Sequence, residues 1–206
     1  MKLIMKARLL LVIWGVALLS AGCSEEAKTP AKKAEKAVEP VTGQTALYRM
    51  YQVARSWAPD AMVLKVNSIH LTDVAAVVGK AGAWQAVFTS SALNTARTYT
   101  YSVAEEEGNL HQGVFPGPQE SWSGPADTAF LIGAVKVDTD AAYKTALGQA
   151  GDAQKKDPKQ TISFLLERGE GLTNPAWRVI WGESVGTSGF SVLVDASTGV
   201  YLKTLH

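Results

Sequence analysis

The chain has 206 residues, of which 47% are hydrophobic, and it carries 20 Lys and Arg, 19 Asp and Glu and one cysteine. This composition excludes a disordered, a collagen-like and a disulfide-stapled protein. Without the first 22 residues, 17 basic and 19 acidic side chains remain, so the charge does not indicate nucleic-acid binding, which usually needs a clearly basic domain.

The first element in chain order has the pattern of a secretion signal. Leu9 to Leu19 form an uncharged run of eleven residues, and Lys2, Lys6 and Arg8 precede it. Eleven helical residues rise about 16 Å, which is too short for a hydrocarbon core of about 30 Å. A basic start and a short apolar run therefore predict a signal peptide.

The end of this run carries a lipidation motif. Leu19 is followed by Ser20, Ala21, Gly22 and Cys23, and these five residues resemble the lipobox of bacterial lipoproteins. The resemblance implies that residues 1–22 are removed and that the thiol of Cys23 receives a diacylglycerol thioether. Ser20 departs from the branched aliphatic residue that is common there. A secreted protein cut near Ala21 and an uncleaved anchor are the alternatives.

The segment that follows predicts a tether. Residues 24–42 carry four Lys, four Glu and two Pro with few large apolar side chains, so they cannot bury a core. With Cys23 they form the predicted segment 23–42, which as a flexible coil would span about 25 Å. In some bacteria with two membranes, an Asp directly after the lipidated cysteine resembles an inner-membrane retention signal. Ser24 occupies this position here, which favours the outer membrane, facing the periplasm, in a host with two membranes.

A first α+β unit is predicted over residues 43–115. Helical spacing of apolar residues begins at Leu47 and stops at Pro59. Four segments rich in β-branched and aromatic residues then predict strands over residues 62–69, 83–90, 97–104 and 110–115.

Residues 116–126 predict an irregular connecting loop, because Pro116, Gly117 and Pro118 open it and Pro125 nearly closes it. The apolar stretch from Phe130 to Val137 predicts an extra strand that crosses between two sheets.

A second unit, residues 127–206, repeats the order of the first. Asp138 and the residues after it predict a helix start, and strands are predicted over residues 161–166, 176–181, 190–195 and 200–205. When Trp84 is aligned with Trp177, the hairpin glycines Gly108 and Gly199 also align within two residues. This offset of 91 to 93 residues predicts a duplicated helix-plus-four-strand unit. Coincidence is the alternative.

The closing hairpin carries a family resemblance. Trp177 and Val179 are followed by Val194-Asp195-Ala196 and by Thr198-Gly199, which resembles a PepSY-type domain over about 70 residues. The first unit departs from this turn pattern. The resemblance implies a helix against an antiparallel sheet on an anchored bacterial protein, and in some members an action on peptidases.

Catalytic and metal motifs are not evident. The chain has no Gly-x-Ser-x-Gly elbow, phosphate loop or dinucleotide fingerprint. Its three histidines, His70, His111 and His206, do not have the spacing of a metal site. Asp195 is interpreted as a turn residue that accepts backbone N–H bonds, with Gly199 at positive φ. We therefore expect no enzyme activity, no cofactor and no metal.

Trp122 is the candidate binding residue. It lies in the predicted loop, where an exposed tryptophan would suit a partner contact, although a tucked-in ring is the alternative. The sequence as a whole predicts a membrane-anchored binding protein that takes a peptide or protein at a sheet edge or in a groove between the units, or that restrains a peptidase. An envelope hydrolase and a structural assembly factor are the alternatives.

Overall fold

The computed structural model describes residues 38–106, 110–151 and 160–206, which form an α+β fold. Within these ranges the helices and strands have the following bounds: β1 Val41–Thr42, α1 Gly43–Trp57, β2 Met62–Ile69, β3 Lys80–Ala81, β4 Ala83–Ser90, β5 Thr95–Ser102, β6 Gly113–Ser121, α2 Thr139–Ala150, β7 Ile162–Glu167, β8 Ala176–Trp181, β9 Ser191–Asp195 and β10 Tyr201–Leu205.

The sheet is continuous across both halves of the chain, the first of which holds β1 to β6 and the second α2 to β10. Eight strands lie in the order β10-β9-β8-β7-β2-β4-β5-β6, and every pair is antiparallel. At the centre β2 pairs with β7, with Lys65 opposite Glu167 and Asn67 opposite Leu165. The expectation of two separate sheets was therefore wrong. Two separate four-stranded sheets would have four open edges. Pairing β2 with β7 joins two of these edges and leaves the other two open.

Each half contributes one helix followed by four strands that pair in chain order, apart from the short β3, which pairs with β1. In each half the strand order runs outward from the centre of the sheet, because the first strands of the two halves, β2 and β7, are neighbours.

One hydrophobic core joins the two halves. Trp84 on β4 and Trp177 on β8 are fully buried in it, and their rings meet edge to face with centroids 6.3 Å apart. Each indole N–H donates to a carbonyl two residues before the helix of its own half: Trp84 to Val41, at 3.1 Å, and Trp177 to Val137, at 2.8 Å. A buried indole N–H needs such an acceptor, so each tryptophan fixes the entry to a helix.

The two helices begin side by side. Asp138 is the N-cap of α2, as predicted, and its Oδ1 accepts the Thr139 N–H at 2.7 Å. The same Oδ1 accepts the Gln44 N–H of α1 at 2.9 Å, and Thr139 Oγ1 accepts the Gly43 N–H at 3.0 Å. Helix α1 has no side-chain cap from its own N-cap residue, Thr42. Residues of α2 therefore satisfy donors at both helix starts.

The predicted connecting loop 116–126 is mostly an edge strand. β6 runs through Pro116 and Pro118 to Ser121 and pairs with β5. Proline is tolerated there because an edge strand has a side on which no ladder N–H is needed. The pairing shifts register between Arg97 and Tyr99, opposite these prolines.

The stretch from Phe130 to Val137 is not the predicted strand. Phe130 exchanges two backbone hydrogen bonds with Val63, which lies on β2 just before its pairing with β7. A 3-10 turn over Ile132–Ala134 follows, and the N–H of Val137 then donates to Ala196. The segment crosses from one half to the other. Its bridge to β2 pairs Phe130 with Val63, in the part of β2 that β7 leaves unpaired, so a full strand is not needed there.

Candidate functional site

A cleft of about 730 Å³ lies where the two halves meet. Its lining comes from Pro40, from residues 70–82 between β2 and β4, and from residues 160–162 at the start of β7. Because β2 and β7 are antiparallel, the end of β2 and the start of β7 lie at the same end of the sheet. The cleft therefore opens along the line at which the two halves join.

One wall of the cleft is a run of small apolar residues, Val74-Ala75-Ala76-Val77-Val78, which we call the apolar loop. Val74 is half-buried, and the four residues after it are exposed. Val77 and Val78 leave 43% and 57% of their surfaces open. Consecutive exposed apolar residues of this kind are uncharacteristic of loops and indicate an interaction surface.

Hydrogen bonds and packing hold both ends of the apolar loop. Before it, Leu71 is buried and the Thr72 N–H donates to Glu106 Oε1 at 2.9 Å. After it, the carbonyl of Gly79 accepts the Thr139 hydroxyl at 2.6 Å. Gly79 has φ +78°, and a Cβ there would lie 2.6 Å from Asp140 Cα. Only glycine fits this close approach to α2, so the exposed residues project from fixed ends.

His70 is one of the titratable groups that line the cleft, with Asp73 and Lys80. Its Nε2 lies 3.1 Å from the buried Ser163 Oγ. The Ser163 hydroxyl lies 2.7 Å from the Gly182 carbonyl and 3.0 Å from that of Glu183. Because the Ser163 hydroxyl donates its proton to these carbonyls, the side chain is arranged as a structural bridge rather than as a nucleophile. Desolvation at the cleft lowers the pKa of His70 and outweighs the opposing effect of the Glu183 charge, although the residue stays exposed overall.

The other two histidines lie apart from the cleft lining. His111 Nδ1 lies 3.1 Å from Glu105 Oε2, and both side chains are exposed. His206 contacts the ring of Phe190. In the ranges that the structure covers, no group of three or more His, Cys, Asp or Glu side chains could hold a metal ion.

Asp195 has the structural role that the sequence predicts. Its Oδ1 accepts the N–H groups of Ser197 and Thr198 at 2.8 and 2.9 Å, and Gly199 has φ +77°. Burial alone would raise the pKa of Asp195, but hydrogen bonds from Asn174, Ser197 and Thr198 outweigh it and lower the pKa. The carboxylate closes the β9–β10 turn.

The two predicted site residues lie away from the cleft lining. Cys23 lies outside the described residues. Trp122 directly follows β6 and is half-buried, and its backbone N–H donates to the Asn94 carbonyl at 3.1 Å. Asn94 belongs to the turn at the far end of β4 from the cleft. A partner contact by Trp122 stays a prediction.

The apolar loop was not found from the sequence. Its five residues have neither the alternation of a strand nor the spacing of an amphipathic helix, and they follow a strand that is already apolar. The signal was available in its flanks, because Thr72-Asp73 and Gly79 bracket the run as turn residues. An apolar run that is bounded by turn residues and is too short for a helix can be an exposed loop as well as a strand.

No protein-family model matches the chain, and no curated protein is similar to it. A similar solved structure comes from Clostridium difficile 630 and is described as a "putative lipoprotein". The alignment has a TM-score of 0.43 and 10% sequence identity, and it covers 83% of this chain and 95% of that chain. None of the helices in the part of the chain that the structure describes is long and apolar enough to span a membrane.

Proposed function

We propose that this protein is a lipid-anchored binding protein of the bacterial cell envelope, which holds an apolar segment of a polypeptide in the cleft between its two halves. The observation that carries the proposal is the apolar loop on the wall of a 730 Å³ cleft. A cleft with apolar walls and a few polar groups is the usual form of a binding site. Here the polar lining comes from His70, Thr72, Asp73, Lys80, Gln160 and Thr161.

The anchor is assigned to Cys23 on the strength of its lipobox-like context. The basic start, the eleven-residue apolar run and the small residues before Cys23 support export and lipidation. Ser24 favours the outer membrane, facing the periplasm, in a host with two membranes.

We further propose that the halves are tandem PepSY-like units that have fused their sheets. Each half has a helix followed by a four-stranded antiparallel arrangement. In each half a tryptophan on the second of those strands bonds to the carbonyl two residues before the helix. The recurrence of this bond supports a common origin more strongly than strand order does, because it depends on one residue type at one position.

The cleft is a better binding site than either sheet edge. An extended peptide that adds to an edge needs a row of free N–H and C=O groups. β6 carries Pro116 and Pro118, which have no N–H. β10 has five residues and a register shift between Tyr201 and Lys203. Both edges therefore offer an interrupted ladder.

Site-specific photo-crosslinking tests the binding site. A photoreactive side chain at the exposed, cleft-lining Thr72 should give one dominant polypeptide adduct in the host envelope. Ala76→Trp places a bulky side chain on the cleft wall and should abolish the adduct. Ala92→Trp is the matched control, since Ala92 is exposed in the turn at the other end of β4. An adduct that persists equally in both variants would overturn the cleft as the site.

Lipid labelling tests the anchor separately. Cys23→Ala removes the thiol that forms the thioether, so the variant should be exported without incorporating palmitate. Equal incorporation in the variant and the unmodified chain would contradict lipidation at Cys23.

A further inference from the structure

We propose that the apolar loop rests on the bilayer that holds the lipid on Cys23, so that the protein has a second, non-covalent contact with its own membrane. The inference rests on the proposed lipid anchor and goes beyond it, because it assigns a lipid surface to a part of the folded domain. Val77 and Val78, which are 43% and 57% exposed, contact the bilayer at the rim of the cleft, and the polypeptide of the proposed function lies inside the cleft.

The exposed surface of the loop suits a lipid interface. Ala75, Ala76, Val77 and Val78 are consecutive, uncharged and exposed. The bond from Thr72 to Glu106 and the fit of Gly79 against Asp140 fix both ends, so the exposure belongs to the folded structure. Apolar side chains that the fold holds in water are stabilised when a bilayer interface covers them.

The position of the tether favours the bilayer as the surface that covers the exposed rim of the loop. Pro40 lines the same cleft as the apolar loop, and residues 24–39 are all that separates it from Cys23. A chain of that length spans at most about 60 Å when fully extended and about 22 Å as a coil. The tether therefore enters the folded domain beside the loop and keeps the loop at a high effective concentration near the membrane.

A second contact fixes the orientation of an anchored domain. The diacylglycerol proposed at Cys23 carries two acyl chains, which suffice for stable anchoring, so the loop contact would hold the folded domain against the bilayer rather than supply the anchor. The charges that flank the loop are opposite in sign, with Asp73 before it and Lys80 after it. The contact is therefore driven by apolar burial and should not require anionic lipids.

The test uses the full chain, lipidated at Cys23, in phosphatidylcholine vesicles. Cys23 is the sole cysteine and its thiol is blocked by the thioether, so Val77→Cys supplies a single free thiol for a polarity-sensitive dye. The matched control is Leu93→Cys. Leu93 is 47% exposed, close to the 43% of Val77, but it lies in the turn at the opposite end of β4.

The dye at residue 77 should shift to the blue on vesicles and should lose at least half of its emission to shallow nitroxide-labelled lipids. The dye at residue 93 should do neither. Adding Val78→Asp to the Val77→Cys chain should reduce the quenching at least two-fold. Adding phosphatidylglycerol to the vesicles should leave the quenching at residue 77 unchanged.

The outcomes separate this inference from the proposed anchor and from other occupants. Mass analysis that finds Cys23 unmodified would remove the anchor and the inference together. A lipidated chain with equal responses at residues 77 and 93 would overturn the bilayer contact alone. The Cys23→Ala, Val77→Cys protein gives a further check without vesicles. A dye that is already blue-shifted there would also overturn the bilayer contact, because the protein itself rather than lipid would then cover residue 77.

Discussion

The two halves of the sheet place the same elements in the same order but complete them differently. In the second half, Asp138 caps its own helix and Asp195 closes its own hairpin. In the first half, Gly43 and Gln44 at the start of α1 take their acceptors from Thr139 and Asp138 of the second. The second half is therefore locally complete at these points, whereas the first depends on its neighbour. Two halves with the same order of elements need not be equally self-sufficient.

The largest effect is expected at the paired tryptophans. Trp84→Ala and Trp177→Ala should each lower the free energy of unfolding by about 3–5 kcal/mol, the usual cost of truncating a buried aromatic side chain. Because the two rings touch, the double variant should lose less than the sum of the single losses. Urea unfolding of the three variants measures this. A cost below 1 kcal/mol at one position alone would break the equivalence of the halves.

A smaller but more selective effect is expected at Asp138. A single N-cap is worth about 1 kcal/mol. Since Asp138 serves two helices, Asp138→Ala should cost about 2 kcal/mol in urea unfolding. Asp140→Ala is the control, because this exposed carboxylate lies in the first turn of α2 and accepts the Ala141 N–H. Equal losses in the two variants would show that the acceptor shared with α1 contributes nothing.

Acid should weaken both halves through one carboxylate in each. Hydrogen bonds from the Ala92 N–H and the Ser90 hydroxyl lower the pKa of Asp60 in the first half, and the pKa of Asp195 is lowered in the second. Their contribution is complete above the unfolded value of about 3.9 and is lost as pH falls through the lower folded pKa.

The free energy of unfolding should therefore decrease steadily below about pH 4. Asp60→Asn and Asp195→Asn should each flatten this decrease, and urea titrations at several pH values between 2 and 7 measure it. A profile that either substitution leaves unchanged would exclude that carboxylate as a contributor.

The smallest effect is expected at Trp122. Its half-buried ring lies against Gly124 and outside the cleft lining, so Trp122→Ala should change the thermal midpoint by a few degrees and leave crosslinking at Thr72 intact. Loss of the adduct with an unchanged midpoint would move the binding site toward the β6 edge. A fall of about ten degrees or more would make Trp122 a packing residue.

Local sequence pattern was sufficient for most of the sheet. The bounds of β2, β4 and β8 agree with the predicted segments 62–69, 83–90 and 176–181. Each of these strands is rich in β-branched or aromatic residues and is bounded by turn residues. The helix start at Asp138 was also predicted, because an acidic N-cap depends on neighbouring backbone.

The sequence predictions were wrong or incomplete where contacts between distant parts of the chain decide the structure. Pro116 and Pro118 were predicted to lie in a loop, since only the position of β6 at the edge makes them tolerable in a strand. The joining of β2 to β7 leaves no local mark in either sequence. A groove between the units was predicted, but its lining residues were not, because residues 70–82 acquire a facing wall only when β7 is placed beside β2.

The cap that α1 receives from α2 sets a delay during biosynthesis. Gln44 and its acceptor Asp138 are 94 residues apart, and chains grow at about 5–20 residues per second. The helix at the start of the domain therefore waits about 5–20 s for the residues that complete it. During this interval the first half is without part of its stabilisation, so a chain that stops near residue 115 should be removed by proteolysis rather than accumulate as an independent domain.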